Sequence, residues 1–368
     1  MRRAFLSIMA ITLAAGMSLT VLAQSRRVPQ PTPTPADDSV HIVTEEIKLN
    51  VLAYNDDGKF VSDLKPADLV ITDNNILNQA ISVRRIPANV LIVMDTGGEM
   101  RQVKNVDQTR RTAKAVIDGL KPEDSIALMQ YSDRADILTE WTTDRQQLAS
   151  AVGRLKFGRK SSFTEALRLA RSFLTKLPLE NKHLVLITDG TDSGDQSLKR
   201  DAIRQILSTD INVHVISYAR MEATDIAPRT KMISKSPPPK AMPDEVAAQL
   251  PNGVRDVARA PKIGPTINLD RTLLKKMKAR KADLENSEIQ METLAANTNG
   301  EIIIPDSVDE MIEKAGLVSK MIDAGYVVTY IPKEPVTNTT GERNIEVTSK
   351  RPGLIVQSKR KLVIERTN

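Results

Sequence analysis

Two acidic residues stand directly after apolar runs of buried-strand character. Val90–Met94 leads into Asp95, and His183–Thr188 leads into Asp189, and glycines follow both acids within three residues. An acid and glycines at the end of a buried strand are typical of nucleotide, phosphate and metal sites. A simpler interpretation is that each carboxylate caps the turn or helix that comes next. The neighbouring elements must decide between these interpretations.

The elements around both acids alternate between strand and helix. Continuous Val/Ile/Leu runs are typical of strands that are buried on both faces, and a βαβ order predicts a doubly wound, mostly parallel α/β sheet. A shorter run, Ala135–Thr139, follows a tight turn and predicts an antiparallel edge hairpin. Asp95 and Asp189 then fall at the carboxyl ends of strands, where such sheets form their binding crevice. The apolar runs are Val90–Met94, Ser125–Tyr131, His183–Thr188 and Asn212–Tyr218, and the helical patterns are Asp107–Leu120, Asp144–Leu155, Phe163–Leu177 and Leu198–Ser208.

Alternating strands lie on both sides of this domain. Residues 42–86 alternate with period two before it, and four short strands between residues 326 and 365 follow it. The two termini of an inserted domain usually lie close together, so we expect both segments to pair into one β-sandwich-like module. Two separate β extensions are the alternative.

Composition excludes several classes of protein. The chain of 368 residues has 40% hydrophobic residues but only 3% aromatic residues and no cysteine. Thiol catalysis, disulfides and lipoprotein attachment are therefore excluded, and stacking platforms for nucleic acid are disfavoured. There are three histidines, and His183 and His214 fall in predicted strands, where a structural role is usual. We therefore expect a protein that is not an enzyme, with a hydrolase as a remote alternative.

The N-terminus predicts export. Arg2 and Arg3 precede an apolar run, and Val21–Ala23 resembles a signal-peptidase site before Gln24. We expect a periplasmic or secreted protein, and an uncleaved membrane anchor is the alternative. The next residues, 26–38, contain four prolines and predict an extended tether.

A basic, Pro-rich segment follows the fifth predicted strand. Residues 220–281 contain 14 Lys/Arg against 6 Asp/Glu, an excess larger than the net charge of +6 of the whole chain. Arg271–Glu285 can form a helix with a basic face. The segment could bind an anionic polymer or a membrane surface, or be a solvated insertion with no further task.

Three loops together resemble the von Willebrand factor type A domain. They are "VLIVMDTGGEM" (90–100), "GRKSSFTEAL" (158–167) and "LVLITDGTDSGD" (184–195), and the flanking segments resemble exported bacterial proteins of acidobacterial type that carry this domain. The expected organisation is a signal peptide (1–23), a Pro-rich linker (24–39), an N-terminal β module (40–87), the first part of the domain (88–219), the basic insertion (220–283), the last part of the domain (284–324) and C-terminal β strands (325–368).

The resemblance implies a metal-ion-dependent adhesion site for Mg²⁺ or Mn²⁺. Carried onto this chain, its acids are Asp95 and Asp189 and its threonine position is Ser161, while its two serine positions fall on Gly97 and Glu99. Two hydroxyl ligands are thus replaced, so the site is degenerate and no cofactor is certain. We favour neutralisation of the acids without a metal, by Arg101, Arg159 or Lys160, over a functional metal site.

These observations predict protein–protein interaction or adhesion in the cell envelope. We expect an envelope or extracellular protein to bind at Asp95, Glu99, Ser161 and Asp189, and we expect no nucleic acid to bind. The alternative is a structural scaffold with an inert crevice, which makes its contacts through the basic insertion or exposed β edges.

Overall fold

The computed structural model describes residues 46–98, 106–234, 266–267, 270–334, 341–358 and 361–364. They all belong to one compact unit, Thr44–Asn368. The expected signal peptide, its cleavage site, the Pro-rich linker, Glu99, Arg101 and about half of the basic insertion, chiefly residues 235–265, lie outside the described residues. Within the described part of the chain, the helices are all too short or too polar to cross a bilayer.

A six-stranded sheet in the described residues forms the centre of the α/β domain. Its strand order is β12-β9-β8-β5-β6-β7, and every neighbouring pair is parallel except β6 and β7. This confirms the mostly parallel sheet and the antiparallel edge hairpin. The strands are β5 (Asn89–Asp95), β6 (Ser125–Tyr131), β7 (Ala135–Thr142), β8 (Lys182–Thr188), β9 (Asn212–Ser217) and β12 (Ile302–Ile303).

Helices cover both faces of this sheet and form two aliphatic cores, because β5 and β8 are buried on both sides. One face packs against α1, α2 and α7, and the other against α3, α4 and α6. The helices are α1 (Val106–Gly119), α2 (Arg145–Gly153), α3 (Phe163–Thr175), α4 (Gln196–Leu207), α5 (Ala219–Ile226), α6 (Arg271–Asn297) and α7 (Val308–Ala324).

The flanking strands form two antiparallel four-stranded sheets, with orders β15-β1-β13-β4 and β16-β14-β2-β3 in the described residues. β1 lies between β13 and β15, and β2 pairs with β14. The N- and C-terminal strands therefore share one core, as expected, and are not separate extensions. The strands are β1 (Ile47–Asn55), β2 (Leu69–Asp73), β3 (Ile76–Asn78), β4 (Ala80–Arg84), β13 (Tyr326–Tyr330), β14 (Gly341–Ser349), β15 (Leu354–Ser358) and β16 (Lys361–Ile364).

Helix α6 crosses the boundary that we expected between residues 283 and 284. The basic helix expected over 271–285 continues to Asn297 as one helix of 27 residues. The Asp270 carboxylate caps its first turn by accepting hydrogen bonds from the backbone N–H groups of Thr272 and Leu273. No glycine or proline interrupts the helix, so the C-terminal end of the basic segment is part of the α/β domain. The two-residue strands β10 (Ile233–Ser234) and β11 (Thr266–Ile267) pair with each other within that segment.

Candidate functional site

Asp95 ends the central strand β5 and is 1% exposed. One of its carboxylate oxygens, Oδ1, accepts a hydrogen bond of 2.9 Å from the backbone N–H of Gly97. Two buried tyrosines lie against it, Tyr131 at the end of β6 and Tyr218 just after β9. Burial, followed by the charges of Asp95 and Asp189, raises the pKa of both phenols well above its ordinary value. Asp95 is therefore held in a dry site beside two phenols that stay protonated.

Gly97 has no room for a side chain. A Cβ atom built there would overlap the backbone carbonyl oxygen of Lys160 and would lie 2.9 Å from the Cα atom of Ser132. The loop that carries Lys160 thus fills the space in which a serine side chain would stand. Gly98 has a φ of 131°, which L side chains rarely adopt. Close packing therefore requires glycine at position 97, and the backbone conformation favours it at position 98.

Ser161 braces two loops against each other. Its hydroxyl donates a hydrogen bond of 2.9 Å to the backbone carbonyl of Thr191, and its own backbone N–H donates to the Ser193 hydroxyl at 3.0 Å. The backbone N–H of Ser193 donates back to the Ser161 carbonyl at 2.8 Å. Ser161 therefore lies beside the loop that follows Asp189, as its place in the sequence predicted, but its hydroxyl proton serves the backbone.

Asp189 is fully buried and binds an arginine from α6. Its Oδ1 accepts hydrogen bonds of 2.7 Å from both the backbone N–H and the hydroxyl of Thr191. Its Oδ2 lies 2.9 Å from Nη2 of Arg280. The same guanidinium donates to Oε1 of Glu222, 1% exposed in α5, from Nε at 2.8 Å and from Nη2 at 2.7 Å. Burial alone would lower the pKa of Arg280, but the charges and hydrogen bonds of Asp189 and Glu222 have the larger effect and raise it.

Lys199 supplies a second buried cation beneath this site. It lies in α4 with 1% exposure, and its ammonium is 3.1 Å from Oγ of Ser287 and 5.6 Å from the centre of the Phe163 ring. Burial lowers the pKa of Lys199 to about 8, against the opposing effect of Asp189 and Asp192. The buried acids of this edge are thus accompanied by two cations from neighbouring helices.

The basic residues that we expected near the acids behave differently. The backbone N–H groups of Arg159 and Lys160 donate to the Asp133 carboxylate at 3.1 and 2.8 Å, and both side chains are exposed. In the described residues the cation that pairs with Asp189 is instead Arg280, a residue of the helix for which we expected only a basic face. Arg101 and Glu99 lie outside the described residues.

The described residues do not fit a hydrated divalent cation. Mg²⁺ needs an octahedral set of oxygen ligands, several of them water. Here a guanidinium occupies Oδ2 of Asp189, and no side chain fits at position 97. No group of three acidic, histidine or cysteine side chains in the described part of the chain could hold a metal ion.

Glu222 and Arg280 are the site residues that the sequence prediction missed. A usable signal existed in α6, where Met277, Leu284 and Met291 are buried at a spacing of seven. Arg280 falls three residues after the first of these and four before the second, so it lies on the buried face of an amphipathic helix. A charged residue on a buried face predicts a buried partner, although it does not identify Asp189 or Glu222.

The two described histidines lie near the amino ends of β8 and β9, at the opposite edge of the sheet from Asp95. The backbone N–H of Glu301 donates to Nδ1 of His214 at 3.3 Å, so Nε2 of His214 carries a proton and donates it to Nδ1 of His183 at 3.1 Å. His183 then donates from Nε2 to Oδ1 of Asn181 at 2.9 Å. Both rings are neutral and fully hydrogen-bonded, and neither can act as a base at the acidic edge.

Comparison with solved structures gives distant likenesses. An aerotolerance-related membrane protein from Bacteroides fragilis is 16% identical, over 64% of this chain and 98% of its own, with a TM-score of 0.39. A von Willebrand factor type A protein from Catenulispora acidiphila is 11% identical, over 88% of this chain and 75% of its own, with a TM-score of 0.42. A manganese-loaded Plasmodium vivax TRAP protein is 11% identical, over 81% of this chain and all of its own, with a TM-score of 0.39. Likeness at this level does not bear on function.

No curated protein matches the sequence. The sequence model of the von Willebrand factor type A domain family matches residues 90–191. That range begins in β5 and includes Asp95, Ser161, Asp189 and Thr191, but it ends before Glu222 and Arg280. Residues 90–191 therefore form part of a von Willebrand factor type A domain, and the two residues that complete its buried ion pair lie beyond the matched range.

Proposed function

We propose that this protein is an exported, non-enzymatic interaction module that binds an envelope or extracellular protein at the carboxyl edge of its α/β sheet. The observation that supports this is the convergence of three loops at that edge, those carrying Asp95, Ser161 and Asp189. Hydrogen bonds between Ser161, Thr191 and Ser193 hold two of these loops together. A rigid rim of this kind presents a preorganised surface to a partner.

The rim carries exposed charges that a partner can reach. Asp133, Arg134, Arg159 and Lys160 are exposed around the buried acids. Their backbone is fixed by the Asp133 carboxylate, which accepts hydrogen bonds from two N–H groups of the facing loop. Charges on a fixed rim mainly set association rate and partner choice. The metal-ion-dependent adhesion site is degenerate under this proposal, because Gly97 replaces a serine ligand and leaves no space for one.

The test of crevice binding is affinity capture from envelope extract, followed by a binding measurement with the purified protein that is captured. Lys160→Glu reverses a rim charge, and Lys176→Glu makes the same change at the far end of α3, where Lys176 is also exposed. We expect Lys160→Glu to weaken binding about tenfold and Lys176→Glu to leave it unchanged. Equal affinities for both variants would contradict binding at this edge.

Export is tested separately by fractionating cells that express the full chain. We expect the protein in the periplasm or medium with a mass that corresponds to a start at Gln24, because small residues precede that position. An intact mass in the membrane fraction would instead establish an uncleaved anchor.

The exposed basic face of α6 is a candidate for a second contact surface. Arg271, Lys275, Lys276 and Lys278 are all exposed along its first half. Such a face attracts anionic polymers and anionic membrane surfaces, with an affinity that falls steeply with salt. Binding to anionic vesicles or to a polyanion, measured at low and at physiological salt, tests this contact. Charge reversal of Lys275 and Lys276 should abolish it and leave crevice binding intact.

A further inference from the structure

We infer that the Arg280 guanidinium is the resident cation of this adhesion-type site, supplied by the chain itself in place of a divalent metal ion. This inference does not depend on the identity of a partner or on the proposed function.

Each nitrogen of the guanidinium binds an oxygen of the site. Nη2 lies 2.9 Å from Asp189 Oδ2, Nε lies 2.8 Å from Glu222 Oε1, and Nη1 lies 2.7 Å from the Thr191 hydroxyl. The side chains of both carboxylates are almost completely buried, at 0% and 1% exposure. A buried carboxylate is stable only when a cation and hydrogen bonds compensate for its lost hydration. Arg280 provides that compensation for both acids at once.

Two packed helices bring Glu222 and Arg280 to the site. Ala219, Ala223 and Ile226 of α5 form an apolar cluster with Met277 and Leu284 of α6. Glu222 lies within the α5 part of this cluster, and Arg280 lies between its two α6 members. The ion pair is therefore held by a hydrophobic contact between the helices. It is not the chance approach of a mobile surface arginine.

A divalent ion and this guanidinium compete for the same carboxylate. A metal ligated by Asp189 would lie close to a positive charge that is only 20% exposed, where Coulomb repulsion is weakly screened. The loop after β5 also disfavours a metal ion, because a ligand side chain at position 97 would overlap the Lys160 carbonyl. The glycine at position 97 and the arginine at position 280 therefore act in the same direction.

The decisive experiment measures the melting temperature and metal binding of the full chain. For the wild type we expect no binding heat with Mn²⁺ or Mg²⁺ at millimolar concentration, and the same melting temperature with either ion or with a chelator. Arg280→Met should lower the melting temperature by about 10 °C, because it leaves two buried acids without their cation. The matched control is Arg220→Met, which removes an arginine from α5 that pairs with Glu288 at the surface and should change the melting temperature by no more than about 2 °C.

If Arg280→Met does not fold, two further variants test the same inference. Arg280→Lys keeps the charge but cannot serve both acids, so we expect a folded protein with a smaller decrease in melting temperature than Arg280→Met. Arg280→Met combined with Glu222→Gln removes one charge of each sign, and we expect it to melt above Arg280→Met alone. A wild-type protein that is stabilised by Mn²⁺ and destabilised by a chelator would overturn the inference. So would Arg280→Lys and Arg220→Lys variants of equal stability.

Discussion

Two arginines, one in each part of the molecule, bind buried acids in different ways. In the β module, Arg343 of β14 places its Nε and Nη2 atoms 2.9 and 2.6 Å from the two oxygens of Asp73 in β2. Both side chains are 1% exposed, and the Tyr330 hydroxyl donates to the same carboxylate at 2.9 Å. At the sheet edge, Arg280 divides its nitrogens between two acids and is 20% exposed.

The difference lies in what each arginine joins. Arg343 ties a C-terminal strand to an N-terminal strand at the end of the β2–β14 ladder, so its contribution is to strand pairing. Arg280 ties two helices to the end of a sheet strand, and one side of it remains open to solvent. The same chemical group therefore acts as an internal staple in one region and as part of an accessible surface in the other.

Arg343→Met should produce the largest loss of stability. It leaves Asp73 buried without its charge partner, and such losses cost about 3–5 kcal/mol in the free energy of unfolding. Urea denaturation measures the effect. Arg351→Met is the control, because Arg351 pairs with Asp63 in an exposed ion pair and should unfold like the wild type. If the two variants are equally stable, the staple role of Arg343 is wrong.

Acidification tests a third buried polar cluster, the neutral pair His183 and His214, which within the described residues has no charged partner like those of the two arginines. Burial lowers the pKa of His214 to about 4 and that of His183 well below its ordinary value. Below about pH 6.5 the two histidines become protonated in the unfolded chain. In the folded chain they stay neutral until the pH approaches their lowered pKa values. The free energy of unfolding should therefore fall as the pH decreases from about 6.5 to 4, by about 3 kcal/mol for one histidine.

Urea denaturation at several pH values across this window measures the loss. A variant with glutamine at both histidine positions should lose less stability over the same range, because it lacks the two groups that the unfolded chain protonates in this window. The carboxylates contribute equally to both proteins. Identical pH profiles for the two proteins would show that the histidine pair does not control acid sensitivity.

Gly97→Ser tests why the sheet edge uses an arginine and not a metal ion. It places a serine at one of the two serine positions that the resemblance implies, but the backbone of Lys160 already occupies the space for that side chain. The added side chain meets the Lys160 carbonyl, and overpacking of this kind costs about 1–3 kcal/mol. We expect a decrease in melting temperature and no gain of Mn²⁺ binding by calorimetry. A stable variant that binds Mn²⁺ would falsify the view that the loop has closed over the ligand position.

Tyr330→Phe should have the smallest effect, about 1 kcal/mol, since it removes one hydrogen bond to a carboxylate that Arg343 still neutralises. Denaturation in urea measures it, and Tyr326→Phe is a comparison on the same strand, because the Tyr326 hydroxyl donates to the backbone carbonyl of Val61. A loss as large as that of Arg343→Met would mean that the tyrosine, and not the arginine, holds the buried acid.

The sequence predicted the frame of the site better than its chemistry. Asp95 and Asp189 could be placed because continuous apolar runs specify strands buried on both faces, and such strands end at one edge. That the N- and C-terminal β segments share one module could be predicted from their places on either side of the α/β domain, but the pairing of β1 with β13 could not. Glu222 and Arg280 could not be paired, because 58 residues separate them and the contact depends on how α5 packs on α6. Local patterns specify elements, whereas a contact between helices depends on tertiary packing.

The placement of β1 beside β13 has a mechanical consequence. The chain enters β1 at Ile47, opposite Tyr330, and the α/β domain connects to β13 at Tyr326, opposite Val51. Tension between the N-terminal side of the chain and the α/β domain would therefore pull the two strands from opposite ends of their ladder. All five register pairs from Ile47 to Val51 would bear that load together in shear, and would not open one after another. Under the proposed function, a partner bound at the carboxyl edge of the α/β sheet would load this ladder in shear.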